Sequence, residues 1–203
     1  YLNLKSILIN NFFNIKKIQN LKKEKLKKNI FRSRKDIRLL SIGRIVDQKN
    51  HILILKSLKY LKFKYKLLLI GEGNLKNYIQ KYIINNNLSD RVMIINFQKN
   101  PYKYLYNSDI FILSSKFEGM PNILIESGVV KTLIISSNCP TGPKEIITNG
   151  KTGFLFKNNN VKSLANSLNK SVKNINNKKI LNKMFLNVRK KYDMNKNIET
   201  FIK

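Results

Sequence analysis

Cysteine and histidine occur once each in the 203 residues and tryptophan not at all, so neither a disulfide framework nor a cysteine–histidine zinc site can be built. A lone thiol suits a reducing, cytoplasmic setting. No apolar run reaches the roughly eighteen residues a spanning helix needs, and Lys5, Asn10 and Asn11 interrupt the first thirteen positions before a secretory leader can form. The chain opens on Tyr1 rather than Met, which leads us to expect further sequence upstream. His51 lies among apolar residues in an expected helix and reads as a helix-surface or capped side chain, while Cys139 reads as a buried thiol, so no Ser-His-Asp triad takes shape. A Walker A loop and an Asp-x-Asp metal site are also missing, and no metal cofactor is expected.

Acidic residues are the scarcest charged class, 11 against 40 cations, for a net charge of +29. Such a balance suits nucleic acid or an anionic membrane surface. Yet Lys outnumbers Arg by 34 to 6, Ala occurs once, and Asn is the commonest neutral polar residue, the drift expected of an AT-rich genome. We therefore expect no nucleic-acid partner and leave open a peripheral position on the anionic inner face of the plasma membrane. In a chain that has shed carboxylates, Asp109, Glu118, Glu126 and Glu145 are the acids to examine.

What is plentiful is alternation. With 42% apolar residues the chain can bury a core. Continuous apolar runs at 37–43, 66–71, 91–95, 109–114, 132–136 and 153–156 read as strands covered on both faces. Segments of helical period at 49–61, 74–86, 101–107, 121–130 and 142–148 separate them. Strand–helix–strand order with these spacers predicts right-handed parallel βαβ units, an α/β, Rossmann-like doubly wound sheet. Val161, Leu164, Ala165, Leu168 and Val172, then Ile180, Leu181, Met184, Phe185 and Val188, predict two C-terminal helices. The Lys-rich stretch 14–35 reads as a helix or linker entering the domain.

Ligands of open parallel sheets bind at the carboxyl ends of the strands. The first strand ends Ser41-Ile42-Gly43-Arg44 with Lys49 opening the next helix, so two cations can converge on an anion beside a glycine. The second ends Gly71-Glu72-Gly73, a partial dinucleotide fingerprint whose third glycine is replaced by Lys76. After the fourth comes Ser115-Lys116-Phe117-Glu118-Gly119-Met120-Pro121, with Pro121 as a favoured first helical residue and free amides behind it. Glu118 stands before that helix and Glu126 one turn inside it. An acid so placed repels phosphate unless it faces another part of the ligand, such as sugar hydroxyls; solvated acids favoured by the helix dipole are the alternative. Beyond the fifth strand, Cys139-Pro140-Thr141-Gly142-Pro143 sets up a further helix start.

Taken in order, Gly43-Arg44 with Lys49, Ile70-Gly71-Glu72-Gly73, Ser108-Asp109-Ile110-Phe111, the Glu118-x7-Glu126 spacing, Gly142-Pro143-x-Glu145 and Gly150-x-x-Gly153 resemble the C-terminal half of retaining glycosyltransferases of family 4, with the GT-B fold. The 139–143 element is similar to that of bacterial enzymes building lipid-linked or surface polysaccharides. The resemblance covers about 37–175, with an echo at 7–18. It implies a division into 1–36, the end of or linker from a missing acceptor-binding N-terminal domain; 37–175, a nucleotide-sugar-binding domain; and 176–203, a helical extension.

The same resemblance implies a nucleotide-sugar donor and a carbohydrate or lipid-linked acceptor. Arg44 and Lys49, beside Gly43, would grip the donor diphosphate, and the amides of Asn122 and Ile123 would cap it without a metal. Glu126 would bind the ribose. Glu118 would face the donor sugar as the catalytic candidate, with Gly119 and Met120 near the sugar and Phe97, in the loop 96–98, near the base. One departure stands out: the family usually places small residues and a Gly-x-Pro turn after the second acid, whereas this chain has Ser127-Gly128 and then Lys131-Thr132-Leu133. The rival expectations are a GT-B epimerase or phosphorylase, and a non-catalytic basic module binding anionic lipid or nucleic acid.

Overall fold

The computed structural model describes residues 11–26, 30–31 and 35–195. Residues 7–10 of the expected echo at 7–18, and residues 196–203 of the expected extension at 176–203, lie outside them.

In chain order the elements are α1 (Ile15–Leu21), β1 (Ile37–Ile42), α2 (His51–Ser57), β2 (Tyr65–Ile70), α3 (Lys76–Asn85), β3 (Val92–Ile95), α4 (Tyr102–Tyr106), β4 (Ile110–Leu113), α5 (Asn122–Val130), β5 (Leu133–Asn138), α6 (Pro143–Ile146), β6 (Phe154–Lys157), α7 (Val161–Ser171) and α8 (Lys178–Tyr192). The six strands form one sheet in the order β3-β2-β1-β4-β5-β6, and every pairing is parallel. The α/β, doubly wound expectation holds, with each strand within two residues of its sequence bounds at both ends.

The continuous apolar runs follow from burial on both faces. Leu39, Leu67, Leu69, Ile110, Ile112, Leu133 and Ile135 meet α2, α3 and α7 on one side. Their neighbours Leu40, Leu68, Ile70, Phe111, Leu113 and Ile134 meet α1, α4, α5 and α8 on the other. Ile15 and Ile18 seat α1 in this second layer, and the Phe13 N–H donates to Tyr192 O at 2.8 Å, tying α1 to the end of α8.

The strand order reverses between β1 and β4, the sheet growing outward from β1 first toward β3 and then, from β4, toward β6. These strands share only two register pairs, Leu39 with Ile110 and Leu40 with Phe111. Past them β1 follows β2 to the Ile42–Ile70 pair, while β4 follows β5 to Leu113 and Ser136. The two central strands therefore part at their carboxyl ends, the crevice geometry of a topological switch point.

The departure after Glu126 now has a physical account. Lys131 closes α5 in the left-handed region at φ 64°, where glycine is the usual occupant. Its side chain is engaged all the same: Nζ donates to Asn182 Oδ1 at 2.7 Å and sits 5.0 Å from the Phe185 ring centre, both on α8. Gly128 completes the fit, because a Cβ there would stand 2.9 Å from Met184 Cε and 3.1 Å from Val188 Cγ1. Gly128→Leu should therefore destabilise the protein by ~1–3 kcal/mol through overpacking, even though leucine is the better helix former. Urea denaturation measures this, and a stabilised variant would show that α8 does not press on α5 there.

Candidate functional site

Two loops close the crevice. The first follows β1. Gly71 and Gly73 (φ 156° and 158°) let this loop cross the end of β2, since a Cβ on Gly71 would lie 1.9 Å from Gly43 O and one on Gly73 would lie 2.3 Å from Ile45 O. The Ile45 N–H donates to Glu72 O at 2.7 Å and the Leu75 N–H to Ile45 O at 3.1 Å. The partial dinucleotide fingerprint thus serves a chain crossing.

Lys49 does not open the next helix as expected. It ends a 3-10 turn at Asp47–Lys49, and Asn50, left-handed at φ 51°, separates that turn from α2. Asparagine tolerates this conformation better than most side chains. The break turns Lys49 across the crevice.

The second loop follows β4, and five contacts stitch it to the first. The Lys116 N–H donates to Gln48 O at 2.8 Å. Gln48 Nε2 donates to Phe117 O at 3.0 Å and Ser114 Oγ to Lys49 O at 2.7 Å. Lys116 Nζ lies 2.7 Å from Asp47 Oδ1, a pair open to solvent and of small energetic consequence. Lys49 Nζ donates to Glu118 Oε1 at 2.6 Å; this contact is sheltered, with 8% of the Glu118 side chain exposed. Ser115 Oγ donates to the same oxygen at 2.6 Å. Losing one member of such a pair would leave the other charge poorly solvated.

The loop after β5 leans on the same place. Thr141 Oγ1 donates to Glu118 O. Gly142 (φ 82°) passes so close that a Cβ would stand 2.2 Å from Gly119 O.

Pro121 occupies the cap of α5 rather than its first turn, so the helix begins at Asn122 with no side-chain cap. The Leu124 N–H returns to Pro121 O at 2.9 Å. Among the described residues nothing accepts from the amides of Asn122 and Ile123, which leaves two donors at the positive end of the helix dipole. Arg44 is exposed beside this end of the sheet, and Gly119 has open space where a side chain would be. Met120 is half-buried against the second core layer. Phe97 stands 68% exposed beyond β3, flanked by Asn96, which accepts from Lys76 Nζ at 2.6 Å, and Gln98, which accepts from Tyr104 Oη at 2.9 Å.

The four acids separate into two kinds. Asp109 sits at the opposite, amino edge of β4, accepting from the Arg38 guanidinium at 2.6 and 3.0 Å and from the Arg38 N–H at 2.7 Å. Glu145 accepts from the Gly142 N–H at 3.3 Å and caps α6. Glu118 and Glu126 remain at the carboxyl end of the sheet. Burial raises the pKa of Glu126, and a hydrogen bond from Tyr102 Oη at 3.1 Å opposes the rise.

Sequence reasoning did not single out Ser115 or Tyr102. The Ser-x-x-Glu step from Ser115 to Glu118 was a readable local signal; Tyr102 and Glu126, 24 positions apart, offered none.

Cys139 is buried, as expected, and burial raises its pKa. His51 departs from expectation. It is 3% exposed rather than on the helix surface, and its Nδ1 has no partner among the described residues. Burial, aided by the nearby Lys49 charge, lowers its pKa from 6.5 to about 4.

The unfolded chain therefore binds a proton near pH 6.5 that the folded chain refuses until about pH 4, and stability is lost as pH falls through that window. Between pH 7 and 5 the loss attributable to His51 should be ~2 kcal/mol. Glu126, raised in the fold, acts in the opposite sense, so the measurement is the difference between wild type and His51→Leu in urea at both pH values. Equal pH dependence of the two would show that His51 is charged in the folded protein.

With this geometry in view, the family model for glycosyl transferases group 1 matches residues 22–190. A glycosyltransferase of Methanocaldococcus jannaschii is 38% identical over 149 residues, which are 70% of this chain and 36% of that protein. The N-acetylgalactosamine-N,N'-diacetylbacillosaminyl-diphospho-undecaprenol 4-alpha-N-acetylgalactosaminyltransferase of Campylobacter jejuni is 34% identical over 134 residues, 66% of this chain and 37% of that enzyme. Among solved structures, a glycosyltransferase of Rickettsia africae superposes with a TM-score of 0.82 at 22% identity, over 96% of this chain and 56% of that one. An Anabaena protein crystallised with UDP superposes at 0.79 and 17% identity, over 94% of this chain and 55% of its own. The structural likenesses establish the fold, and the chain spans little more than a third of the curated relatives' length.

Proposed function

The chain belongs to the glycosyl transferases group 1 family, and on that premise we propose that it is the donor-binding half of a retaining glycosyltransferase of the family 4 type. The observation that carries this reading is the crevice between β1 and β4, where Lys49, Glu118 and the uncapped start of α5 converge. A nucleoside diphosphate has the matching charge order. Its phosphates would meet Lys49, Arg44 and the amides of Asn122 and Ile123, with Gly43 and Gly119 leaving room for close approach. Its ribose would meet Glu126, and its base would pass toward Phe97.

Lys49 is held by Glu118 across the crevice. A bound diphosphate would draw Lys49 toward itself and free the Glu118 carboxylate to accept from hydroxyls of the donor sugar beside Met120. As the bond from the anomeric carbon to the diphosphate breaks, charge grows on the leaving oxygen, where the cations and the α5 dipole stabilise it. In this scheme neutralisation needs no metal ion. The acceptor hydroxyl must be held against the anomeric carbon by a second wall, which we assign to a region outside these 203 residues.

The acceptor class we propose is a carbohydrate or lipid-linked carbohydrate, in line with the undecaprenol-linked substrate in the name of the Campylobacter relative. The net charge of +29 would favour an anionic bilayer surface, where such acceptors reside. Among the described residues no helix is long and apolar enough to cross a membrane.

Calorimetry with UDP and a UDP-sugar tests the assignments. UDP should bind equally well in EDTA, and Arg44→Ala should weaken it by ~1.5–3 kcal/mol, the range for a hydrogen bond to a charged group. Glu126→Ala should weaken both ligands, whereas Glu118→Ala should weaken mainly the sugar-bearing one. Strict Mg²⁺ dependence would overturn the charge scheme, and equal losses for both glutamate variants on both ligands would overturn the division of roles.

A further inference from the structure

Glu126 is one turn inside α5, half-buried, and no cation pairs with it among the described residues. A carboxylate so placed is costly unless hydrogen bonds replace its lost water. The donor the fold supplies is the Tyr102 hydroxyl, 3.1 Å from Oε1. Tyr102 opens α4, and its own placement is fixed at a second point: the Tyr102 N–H donates to Asn100 Oδ1 at 3.1 Å. Asn100 Nδ2 in turn donates to Leu21 O, the last residue of α1, at 2.9 Å. A chain of three hydrogen bonds therefore runs from α1 through the loop before α4 to the carboxylate on α5.

We propose that Tyr102 is a positioning residue of the donor site, holding Glu126 so that the carboxylate meets the ribose hydroxyls of a nucleoside diphosphate, with Asn100 anchoring Tyr102 to α1. The inference rests on the reading of Glu126 as the ribose-binding acid.

The chemistry is directional. A ribose diol is a pair of O–H donors and needs an ionised, correctly turned carboxylate to accept from both. Burial pushes Glu126 toward the protonated form, which accepts less well. A tyrosine hydroxyl donating to one oxygen counters that push and fixes the side-chain torsions, leaving the other oxygen for the sugar. Tyr102 stays a donor throughout the physiological range, because burial and the Glu126 charge raise its own pKa to about 12. Phenylalanine would keep the ring's packing and remove only the donor.

The test compares UDP with 2',3'-dideoxyuridine diphosphate, which lacks the diol, on wild type, Tyr102→Phe, Asn100→Ala and Glu126→Gln by calorimetry. Wild type should prefer UDP, and Glu126→Gln should abolish most of that preference. Tyr102→Phe should weaken UDP roughly three- to tenfold and leave the dideoxy analogue unchanged, and Asn100→Ala should do the same to a smaller extent. A purely structural role for Tyr102 would weaken both ligands equally, and that result overturns the proposal while the Glu126 reading stands. A wild type without preference for the diol overturns the Glu126 reading and the proposal with it. Should Tyr102→Phe fail to fold, undiminished preference in Asn100→Ala overturns the anchoring.

Discussion

Beyond the Leu40–Phe111 pair, β1 and β4 share no further register, and everything at the carboxyl end of the sheet depends on how the chain spans that gap. It does so with the loops after the two strands, joined through Gln48, Ser114, Lys116 and the Lys49–Glu118 pair. An ion pair at the centre of this stitching gives a crevice its shape and a charge asymmetry together. Lys49 supplies the positive wall, Glu118 the negative one, and the start of α5 adds two amides beside them.

The same constraint explains the backbone conformations around the crevice. Gly71 and Gly73 let the β1 loop press onto the end of β2, and Gly142 lets the β5 loop reach Gly119. Asn50 takes a left-handed turn that swings Lys49 away from α2. On the far side of α5, Lys131 and Gly128 admit α8, so the helix bearing Glu126 is held from behind. The left-handed backbone at Asn50 and Lys131, unfavourable for side chains with a Cβ, is offset by the two apolar layers that cover the sheet.

Much of this was legible in the sequence, for reasons visible in particular segments. Parallel strands buried on both faces carry continuous apolar runs, so 66–71 and 109–114 announced themselves. Gly142-Pro143 signalled a helix start, and α6 begins at Pro143. Loops were harder, because their geometry depends on distant partners. Asp109 shared the scarcity of Glu118 yet faces Arg38 at the amino edge of the sheet. Lys49 fell inside a helical pattern that Asn50 interrupts. His51 is buried against expectation: it opens α2 right after the left-handed Asn50, and its charged form is disfavoured by burial and by the Lys49 charge. Tyr102 could not be foreseen, since only the packing of α4 on α5 brings it to Glu126.

The central claim is that a nucleoside diphosphate sits where β1 and β4 part. The direct measurement is a titration of the ¹⁵N-labelled chain with UDP, following backbone amide shifts residue by residue. The account predicts saturable changes concentrated at Gly43, Arg44, Lys49, Gly119, Asn122 and Ile123, with those two α5 amides moving as they gain phosphate acceptors. Changes scattered over the lysine-rich exterior and erased by moderate salt, with 119–123 unmoved, would contradict it and favour a basic module without a donor site.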